Sequence, residues 1–216
     1  MTNKSKHYYE SIREDMLKYI PQETKTTLEF GCGFGRFSAL LKETLNTEGW
    51  AVEIEREAAQ EAAKKLDRVI NTDANESLKA IPDGYFDCII FFDILEHLVD
   101  PYSLLLSVKK KLTKRGVIVT SIPNIRYYRT FVDFVIHGNW DYKDQGILDK
   151  THLRFFTRKS ILKVFDKLGF KILMFEGIHP THSRTFKLLN IILLNALSDV
   201  RYKHFVAVVR PKLQSK

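Results

Sequence analysis

An acidic residue followed by three alternate glycines is the first pattern in the chain that could do chemistry. The acid is Glu29, and the glycines are Gly31, Gly33 and Gly35. Alternate glycines let the backbone take positive φ values, so a ligand can approach the main chain closely. A helical pattern begins directly after them, and a helix start offers free backbone N–H groups. The sequence therefore predicts a strand, a tight turn that receives a ligand, and a helix.

The spacing of these residues separates two classes of ligand. A dinucleotide-binding turn would have a third glycine where Arg36 stands. The carboxylate of Glu29 would repel a pyrophosphate, whereas it would attract a ligand with an ammonium group. S-adenosylmethionine has such a group and no phosphate, and the motif resembles that of class I S-adenosylmethionine-dependent methyltransferases. The alternative is a glycine-rich turn without a ligand.

Further carboxylates stand where three other predicted strands end. Glu53 ends the second strand, Asp73 follows the third, and Asp93 ends an apolar run typical of a strand buried on both faces. Ligands of doubly wound sheets bind outside the carboxyl ends of the strands, so we expect these acids on one rim. Glu53 could accept both ribose hydroxyls and Asp73 an adenine amino group. The alternatives are a solvated strand-end acid and a simple turn residue.

The segment after Asp93, Ile-Leu-Glu-His-Leu, looks like the fourth motif of small-molecule methyltransferases, which lines the cofactor pocket. In an amphipathic helix predicted at 5–20, Tyr8, Tyr9 or Arg13 could cover the carboxylate of the ligand, or these aromatics could pack on the sheet. The resemblance implies a cofactor-binding set of Glu29, Gly31, Cys32, Gly33, Gly35, Glu53, Ile54, Asp73, Ala74, Asp93, Ile94 and His97.

A less regular insert, residues 124–156, supplies polar and aromatic side chains beside the expected methyl donor. Its motifs, from Ile-Pro-Asn-Ile-Arg to Asp-Lys-Thr-His-Leu-Arg-Phe-Phe-Thr, are similar to a bacterial methyltransferase subfamily that accompanies glycosyltransferases of surface-polysaccharide synthesis. That resemblance covers roughly residues 8–178 and implies O-methylation of a sugar or sugar-linked acceptor. The acceptor-binding candidates are Asn124, Arg126, Trp140, Tyr142 and Arg154.

Methyl transfer to a hydroxyl needs proximity and a group that takes the proton. We expect His152 to be this general base, with Asp149 orienting it, and His97 is the second candidate. The alternative is that Asp149, Thr151 and His152 only fix the loop. An Asp/His pair could also hold a divalent ion that lowers the pKa of a hydroxyl. No ligand spacing in the sequence supports this strongly, so no metal is expected.

The order of predicted strands and helices indicates an α/β fold, a doubly wound Rossmann-like sheet. The resemblance implies seven strands, mostly parallel, with an antiparallel last strand between strands five and six. We expect one domain over 1–216, with an N-terminal helix at 1–24, the insert at 124–156 and an apolar helix at 184–198. That helix is apolar nearly all round, which favours core packing over a lipid-carrier contact or a dimer face.

Composition limits the classes of function. The chain has 216 residues and a formal charge of +8, with its basic residues scattered, so we expect no nucleic-acid partner. The two cysteines form no disulfide framework, which favours a cytoplasmic protein. We expect no leader at the start and no transmembrane segment, because the chain has no long apolar run. The expected partners are S-adenosylmethionine, a small-molecule, sugar or lipid-linked glycan acceptor, and a second copy or a glycosyltransferase. A non-catalytic partner of a glycosyltransferase and a nucleic-acid methyltransferase remain as alternatives.

Overall fold

The computed structural model describes residues 12–212, apart from the side chain of Leu189, and contains a seven-stranded sheet in the order β3-β2-β1-β4-β5-β7-β6. Neighbouring strands among β1 to β5 are parallel, and β7 runs antiparallel to both β5 and β6. This confirms the predicted fold class. The strands are β1 Thr26–Phe30, β2 Glu48–Val52, β3 Arg68–Ile70, β4 Phe86–Phe92, β5 Leu112–Pro123, β6 Phe170–Pro180 and β7 Tyr202–Pro211.

Helices connect the strands. The α-helices are α1 Arg36–Leu45, α2 Arg56–Ala63, α3 Ala74–Ser77, α4 Pro101–Val108, α5 Tyr128–Val135, α6 Arg158–Lys167 and α7 Arg184–Ile192. Short 3-10 helices occupy Glu14–Tyr19, Leu78–Ala80, Leu95–His97 and Lys109–Lys111. Where the structure describes the predicted N-terminal helix, it is the 3-10 turn Glu14–Tyr19 rather than an α-helix. Tyr8 and Tyr9 lie outside the described residues.

Local sequence explains why the helices begin where they do. Asp100 accepts hydrogen bonds from the backbone N–H groups of Tyr102 and Ser103 at the start of α4, and Pro101 supplies a fixed φ there. Thr157 and Ser160 form a reciprocal capping box at the start of α6. Asp100 and Thr157 therefore cap the helices that they precede.

The core lies on both faces of the central strand β4, whose apolar residues Phe86, Ile89, Ile90 and Phe91 are fully buried. Phe30 of β1 stacks on Phe91 with ring centroids 4.7 Å apart. A strand covered on both faces needs such a continuous apolar run. Because β4 is held from both sides, the residues at its carboxyl end are fixed in position.

The expected core burial of α7 is wrong for most of its apolar side chains. Leu188, Ile191 and Ile192 are 62–67% exposed, and Leu194, just beyond the helix, is 90% exposed. Phe186 is buried instead and lies against Tyr128 of α5, with ring centroids 5.2 Å apart. Among the described residues, no helix is both long and apolar enough to cross a membrane.

Candidate active site

A cavity of about 690 Å³ opens at the carboxyl ends of the parallel strands, which is a size typical of small-molecule sites. It lies where the order of the strands reverses, between β1 and β4, as expected for a doubly wound sheet. Its walls consist of Arg13, Glu29, Phe30, Gly31, Cys32, Gly33, Phe37, Val52, Glu53, Ile54, Glu55, Thr72, Asp73, Ala74, Phe92, Asp93, Ile94, His97, Leu98, Gln145 and Thr151.

The glycine turn forms the floor of this cavity. Gly31 and Gly33 both have positive φ values, of 69° and 54°. A Cβ atom at Gly31 would overlap the side chain of Ile94, so a larger residue there would push into the opposite wall. The turn thus needs glycine both for its backbone conformation and for the close approach of the segment after β4.

The carboxyl group of Glu29 is buried beneath the turn and accepts a 2.6 Å hydrogen bond from the hydroxyl of Ser38. Burial raises the pKa of Glu29 to about 7, against the lowering effect of the Ser38 hydrogen bonds. Near neutral pH the protonated and the ionised form of Glu29 are therefore both populated. A cationic ligand beside it would favour the ionised form.

Glu53 stands at the next position along the rim. Its Oε2 atom accepts from the backbone N–H of Gly33 at 2.8 Å, and its Oε1 atom accepts from that of Glu55 at 3.0 Å. Burial raises the pKa of Glu53, and these backbone hydrogen bonds oppose the shift. Asp73 caps α3 by accepting from the N–H of Asn75. Each carboxylate oxygen has further lone pairs, so both groups can also accept hydrogen bonds from a ligand in the cavity.

Arg13 and Asp93 form an ion pair at the cavity wall, with 2.7 Å between Nη1 and Oδ2. Burial opposes ionisation of Asp93, but nearby charges and the hydrogen bonds of Ser121 and Arg13 lower its pKa overall. Burial also lowers the pKa of His204 to about 4, so this neighbour is neutral at pH 7 and Arg13 supplies the positive charge. The Nη2 atom of Arg13 is buried and has no hydrogen-bond partner among the described residues.

On the opposite wall, His97 is held by the loop after α5. Its Nδ1 atom lies 3.0 Å from the hydroxyl and 3.2 Å from the carbonyl oxygen of Thr151. The Thr151 hydroxyl in turn donates to Asp149 at 2.6 Å. Because a carbonyl oxygen can only accept, Nδ1 of neutral His97 carries the proton and Nε2 has the lone pair.

His152 lies behind His97 rather than on the cavity wall. Its side chain is 5% exposed, and the two imidazole rings meet edge to face with centroids 4.6 Å apart. Its Nδ1 atom donates to the carbonyl oxygen of Ile147 at 2.9 Å, and its Nε2 atom lies 3.9 Å from Oε1 of Glu96. Of the described histidines, His97 is the one that lines the cavity.

Comparisons with known proteins agree with this geometry. The sequence model of a family described as methyltransferase domain matches residues 1–174. The chain belongs to this methyltransferase domain family. A curated relative, the ubiquinone biosynthesis O-methyltransferase of Vibrio atlanticus (strain LGP32), is 26% identical over 180 residues, which are 76% of this chain and 72% of the relative.

Solved methyltransferase structures share the fold. An S-adenosylmethionine-dependent methyltransferase from Archaeoglobus fulgidus superimposes with a TM-score of 0.67 at 23% identity, over 96% of this chain and 95% of the other. One from Mesorhizobium loti gives a TM-score of 0.63 at 18% identity, over 91% and 95%. The protein is thus an S-adenosylmethionine-dependent methyltransferase of class I, and S-adenosylmethionine is its cosubstrate.

The cavity of this methyltransferase fits the chemistry of that cosubstrate. The amino acid end of S-adenosylmethionine carries an ammonium and a carboxylate. The cavity offers a carboxyl group at Glu29 and a guanidinium nitrogen of Arg13 that has no hydrogen-bond partner within residues 12–212. These two residues lie close enough for the charge of Arg13 to act on the pKa of Glu29. The adenosine end requires hydrogen-bond acceptors, and the carboxylates of Glu53 and Asp73 face the same cavity.

The residues predicted to bind the cofactor lie together on the cavity wall, with the exception of Gly35. Gly35 instead ends the turn in the left-handed conformation and begins α1. Their contacts with the cosubstrate stay predictions. Arg13, one of the three residues that could cover the carboxylate of the ligand, also lines the cavity.

The acceptor side differs more from the sequence-based expectation. Of the expected catalytic residues, His97 lines the cavity, whereas His152 and Asp149 lie behind it. The structure therefore places the second candidate for the general base, and not the first, at the cavity wall, and the catalytic roles of both histidines stay predictions. The sequence signal that was missed is Thr151, whose side chain connects His97 to Asp149.

The five expected acceptor-binding residues are not among the described residues that line the cavity. Asn124 is fully buried and donates to the carbonyl oxygens of Asp199 and Tyr202, and Arg126 pairs with Asp199 at 2.6 Å. These two hold the insert to the segment before β7 instead. Trp140 and Tyr142 lie at the surface of the insert, and Arg154 donates to the carbonyl oxygen of Val99.

The insert reaches the cavity through Gln145 and Thr151, which sequence analysis did not select for this role. Gln145 gives no sequence signal of its own. Phe37 and Phe92 also lie on the wall, with ring centroids 4.9 Å apart. In the sequence both residues belong to apolar helix and strand patterns, and such patterns do not indicate which residues end at a cavity.

Proposed function

We propose that this methyltransferase methylates a hydroxyl group of a sugar or sugar-linked acceptor, beside glycosyltransferases of surface-polysaccharide synthesis. The motifs of the insert support this acceptor class by resemblance. The name of the curated relative, an O-methyltransferase, supports oxygen as the atom methylated. Membership of a methyltransferase family favours catalysis over a purely structural role.

In the proposed complex, the chain holds the two ends of the cosubstrate differently. Glu29 accepts the ammonium group, and the Nη2 atom of Arg13 donates to the carboxylate. Glu53 accepts from the ribose hydroxyls, and Asp73 accepts from the adenine amino group. The bound cosubstrate supplies a methyl group on a sulfonium centre, and the electron pair of the broken carbon–sulfur bond stays on sulfur.

The observation that carries the proposal is the hydrogen-bonded series in which His97 and Thr151 lie at the cavity wall and Asp149 lies behind them. A hydroxyl oxygen that attacks a methyl group must lose its proton, and His97 is the residue of this wall with a lone pair at Nε2. The hydrogen bonds from His97 to Thr151 and from Thr151 to Asp149 fix the ring and its tautomer. We propose that the acceptor hydroxyl is activated at His97, and that Asp149 and Thr151 position this ring.

The aromatic residues behind this wall support an acceptor with a flat apolar face. From His97 a row of ring contacts passes through His152, Phe155 and Trp140 to Phe134, with centroids 4.6–6.4 Å apart. Trp140 is 37% exposed, so the row reaches the surface. Aromatic rings can stack on the apolar face of a sugar while polar groups nearby orient its hydroxyls.

The first experiment is calorimetric titration of the protein with S-adenosylhomocysteine, with Glu53→Ala as the matched variant. We expect micromolar binding to the wild type and at least tenfold weaker binding to the variant. Absence of binding to folded wild-type protein would contradict the assignment of the cavity as the site for S-adenosylmethionine.

The second experiment tests the acceptor. Nucleotide sugars and lipid-linked glycans are incubated with the protein and S-adenosylmethionine, and formation of S-adenosylhomocysteine and of the methylated product is measured. We expect transfer to a sugar hydroxyl, a loss of at least 100-fold in His97→Ala, and an unchanged rate in His182→Ala, which alters an exposed histidine outside the cavity wall. Transfer to none of these acceptors, with the cosubstrate bound, contradicts the proposed acceptor class.

A further inference from the structure

Three side chains behind and within the acceptor wall form a cluster with the composition of a metal site. Glu96, His97 and His152 each offer one ligand atom, and these atoms all lie within 4.8 Å of one another. The sequence could not show this, because His152 comes from a loop more than fifty residues after the other two. We propose that these three residues bind one divalent transition-metal ion of the Zn²⁺ type at the wall of the active-site cavity.

The orientation of both histidines favours ion binding. Nδ1 of His97 faces the carbonyl oxygen of Thr151 at 3.2 Å, and Nδ1 of His152 faces that of Ile147 at 2.9 Å. Both rings therefore carry their proton on Nδ1 and their lone pair on Nε2. Metal-binding histidines in proteins have this arrangement, in which the second ring nitrogen donates to a backbone carbonyl or a carboxylate.

The separations within the cluster are close to those that an ion requires. Ligand atoms that each lie about 2.1 Å from a zinc ion in a tetrahedron are roughly 3.4 Å apart. The observed separations of up to 4.8 Å, and of 3.9 Å between Glu96 and His152, need a shift below about 1 Å at each side chain. The backbone already fixes the two segments together, because Glu96 O accepts the N–H groups of Leu153 and Arg154 at 2.8 and 3.0 Å.

The donor set selects the type of ion. Two imidazoles and one carboxylate are bound by zinc in catalytic sites that leave a fourth position open, whereas Mg²⁺ prefers oxygen ligands alone. The side chain of Glu96 is buried, so its carboxyl oxygens are shielded from solvent at this site. His97 lines the cavity, so an open position of this ion would be reached from the acceptor side.

This inference deepens the proposed function and rests on it for its catalytic part. His97 then activates the acceptor hydroxyl as a ligand of the ion rather than by taking the proton itself. A hydroxyl beside a divalent cation has a lower pKa and releases its proton to solvent at neutral pH. The oxygen then forms its bond to the methyl carbon, and the electron pair of the breaking carbon–sulfur bond goes to sulfur.

The test is titration of the chelator-treated, dialysed full chain with Zn²⁺ by calorimetry, and with Co²⁺ by absorption spectroscopy. We expect one ion per chain with a micromolar or lower dissociation constant, and at least tenfold weaker binding in Glu96→Gln and His152→Ala. Cys32 and Cys88 are buried with raised pKa values, which limits competition by thiols. His152→Cys should bind again and add a thiolate-to-Co²⁺ band, an outcome that a merely structural histidine would not produce.

The matched control is His179→Ala. Among the described residues, His179 and His204 form another close histidine pair, with Nδ1 atoms 3.4 Å apart and Asp15 beside it. We expect this variant to bind the ion as the wild type does. No binding to the wild type, or loss in His179→Ala with retention in His152→Ala, would overturn the site.

Titration with S-adenosylhomocysteine on the same samples separates the two proposals. Cosubstrate binding without ion binding overturns the ion site and leaves the proposed function intact. Ion binding without methylation of any sugar contradicts the proposed acceptor and leaves the site intact. A methylation rate that chelation does not change overturns the catalytic use of the ion.

Discussion

At the scale of single residues, burial of the ionisable side chain of Glu29 at the cavity lowers the stability of the folded chain. Its carboxyl group is buried beneath the glycine turn, and its pKa of about 7 lies well above the 4.5 of an exposed glutamic acid. Between these two values the folded chain keeps a proton that the unfolded chain has lost. Stability therefore falls as the pH rises through this window, and the full penalty is present above pH 7.

We predict that Glu29→Gln stabilises the ligand-free protein at pH 8 and weakens binding of S-adenosylhomocysteine at least tenfold. The neutral amide removes a penalty of about 3 kcal/mol, from 1.36 kcal/mol per pKa unit, and can still accept from Ser38. Thermal melts of both proteins at pH 5 and pH 8 measure this effect. The gain should be larger at pH 8, and an equal gain at both values would contradict the raised pKa.

A second prediction concerns the affinity of the wild type for the cosubstrate product. Because the ammonium group favours ionised Glu29, binding should release a proton, and affinity should rise between pH 6 and pH 7.5. Calorimetry in buffers of different ionisation enthalpy measures the proton released. Glu29→Gln should lose this part of the pH dependence, and its retention in the variant would assign it to another group.

Residue types predicted the lining of the cavity better beside the glycine turn than on the acceptor side. Glu29, Glu53 and Asp73 stand at or just after the carboxyl ends of parallel strands, so strand order alone brings them to one edge of the sheet. His152 and His97 come from a loop and a turn, and their order at the cavity depends on how the loop folds. Sequence alone does not indicate that Thr151, and not His152, lies at the cavity wall together with His97 and contacts its Nδ1 atom.

At the scale of elements, the glycine turn is tied to the packing of α2. A Cβ atom at Gly35 would lie 3.0 Å from Cβ and 3.1 Å from Cα of Ala62, and Gly35 has a φ of 69°. Ala62 lies in α2, and its Cα and Cβ atoms are fixed to the helix backbone. They cannot move aside as the end of a flexible side chain can. The end of the turn and α2 are therefore fitted to each other.

We predict that Gly35→Ala destabilises the protein more than Gly84→Ala does. Gly84 has a φ of 67° but open space around it, so alanine there meets only the backbone penalty of about 1–2 kcal/mol. At Gly35 the contact with α2 adds to the same penalty. Urea unfolding measures the free energy of unfolding of both variants. An equal decrease in the two would show that α2 shifts away from the new Cβ atom without a loss of stability.

Sequence patterns predicted the elements where local rules decide them. The apolar run that ends at Asp93 predicted a strand buried on both faces, and β4 is such a strand. The prediction that the apolar helix packs in the core is wrong for most of its side chains, because hydrophobicity alone does not indicate which neighbour covers a helix. Phe186 finds Tyr128, whereas Ile191 and Ile192 remain exposed.

At the scale of the whole molecule, the cavity joins parts of the chain that are far apart in sequence. Arg13, Glu53 and Thr151 all contribute to its wall. A ligand that contacts them together stabilises the folded state and has no comparable site in the unfolded chain. Binding and stability are therefore linked.

We predict that S-adenosylhomocysteine at 100 times its dissociation constant raises the melting temperature by about 5–10 °C. The expected stabilisation is about 2.7 kcal/mol, and 1 kcal/mol corresponds to about 2–4 °C in a domain of this size. Differential scanning fluorimetry measures the shift, with Glu53→Ala as control. A shift in the wild type no larger than in the variant would contradict binding in this cavity.

The order of the strands in the sheet differs from the order in which a ribosome makes them. In the described sheet β6 is joined to β5 only through β7, the last of the seven strands to be synthesised. While translation is still short of Tyr202–Pro211, the nascent chain can pair β1 to β5, but one edge of β5 stays open to other chains. A premature stop codon before this segment would release the chain in that state, so the sheet closes only after Tyr202–Pro211 has been translated.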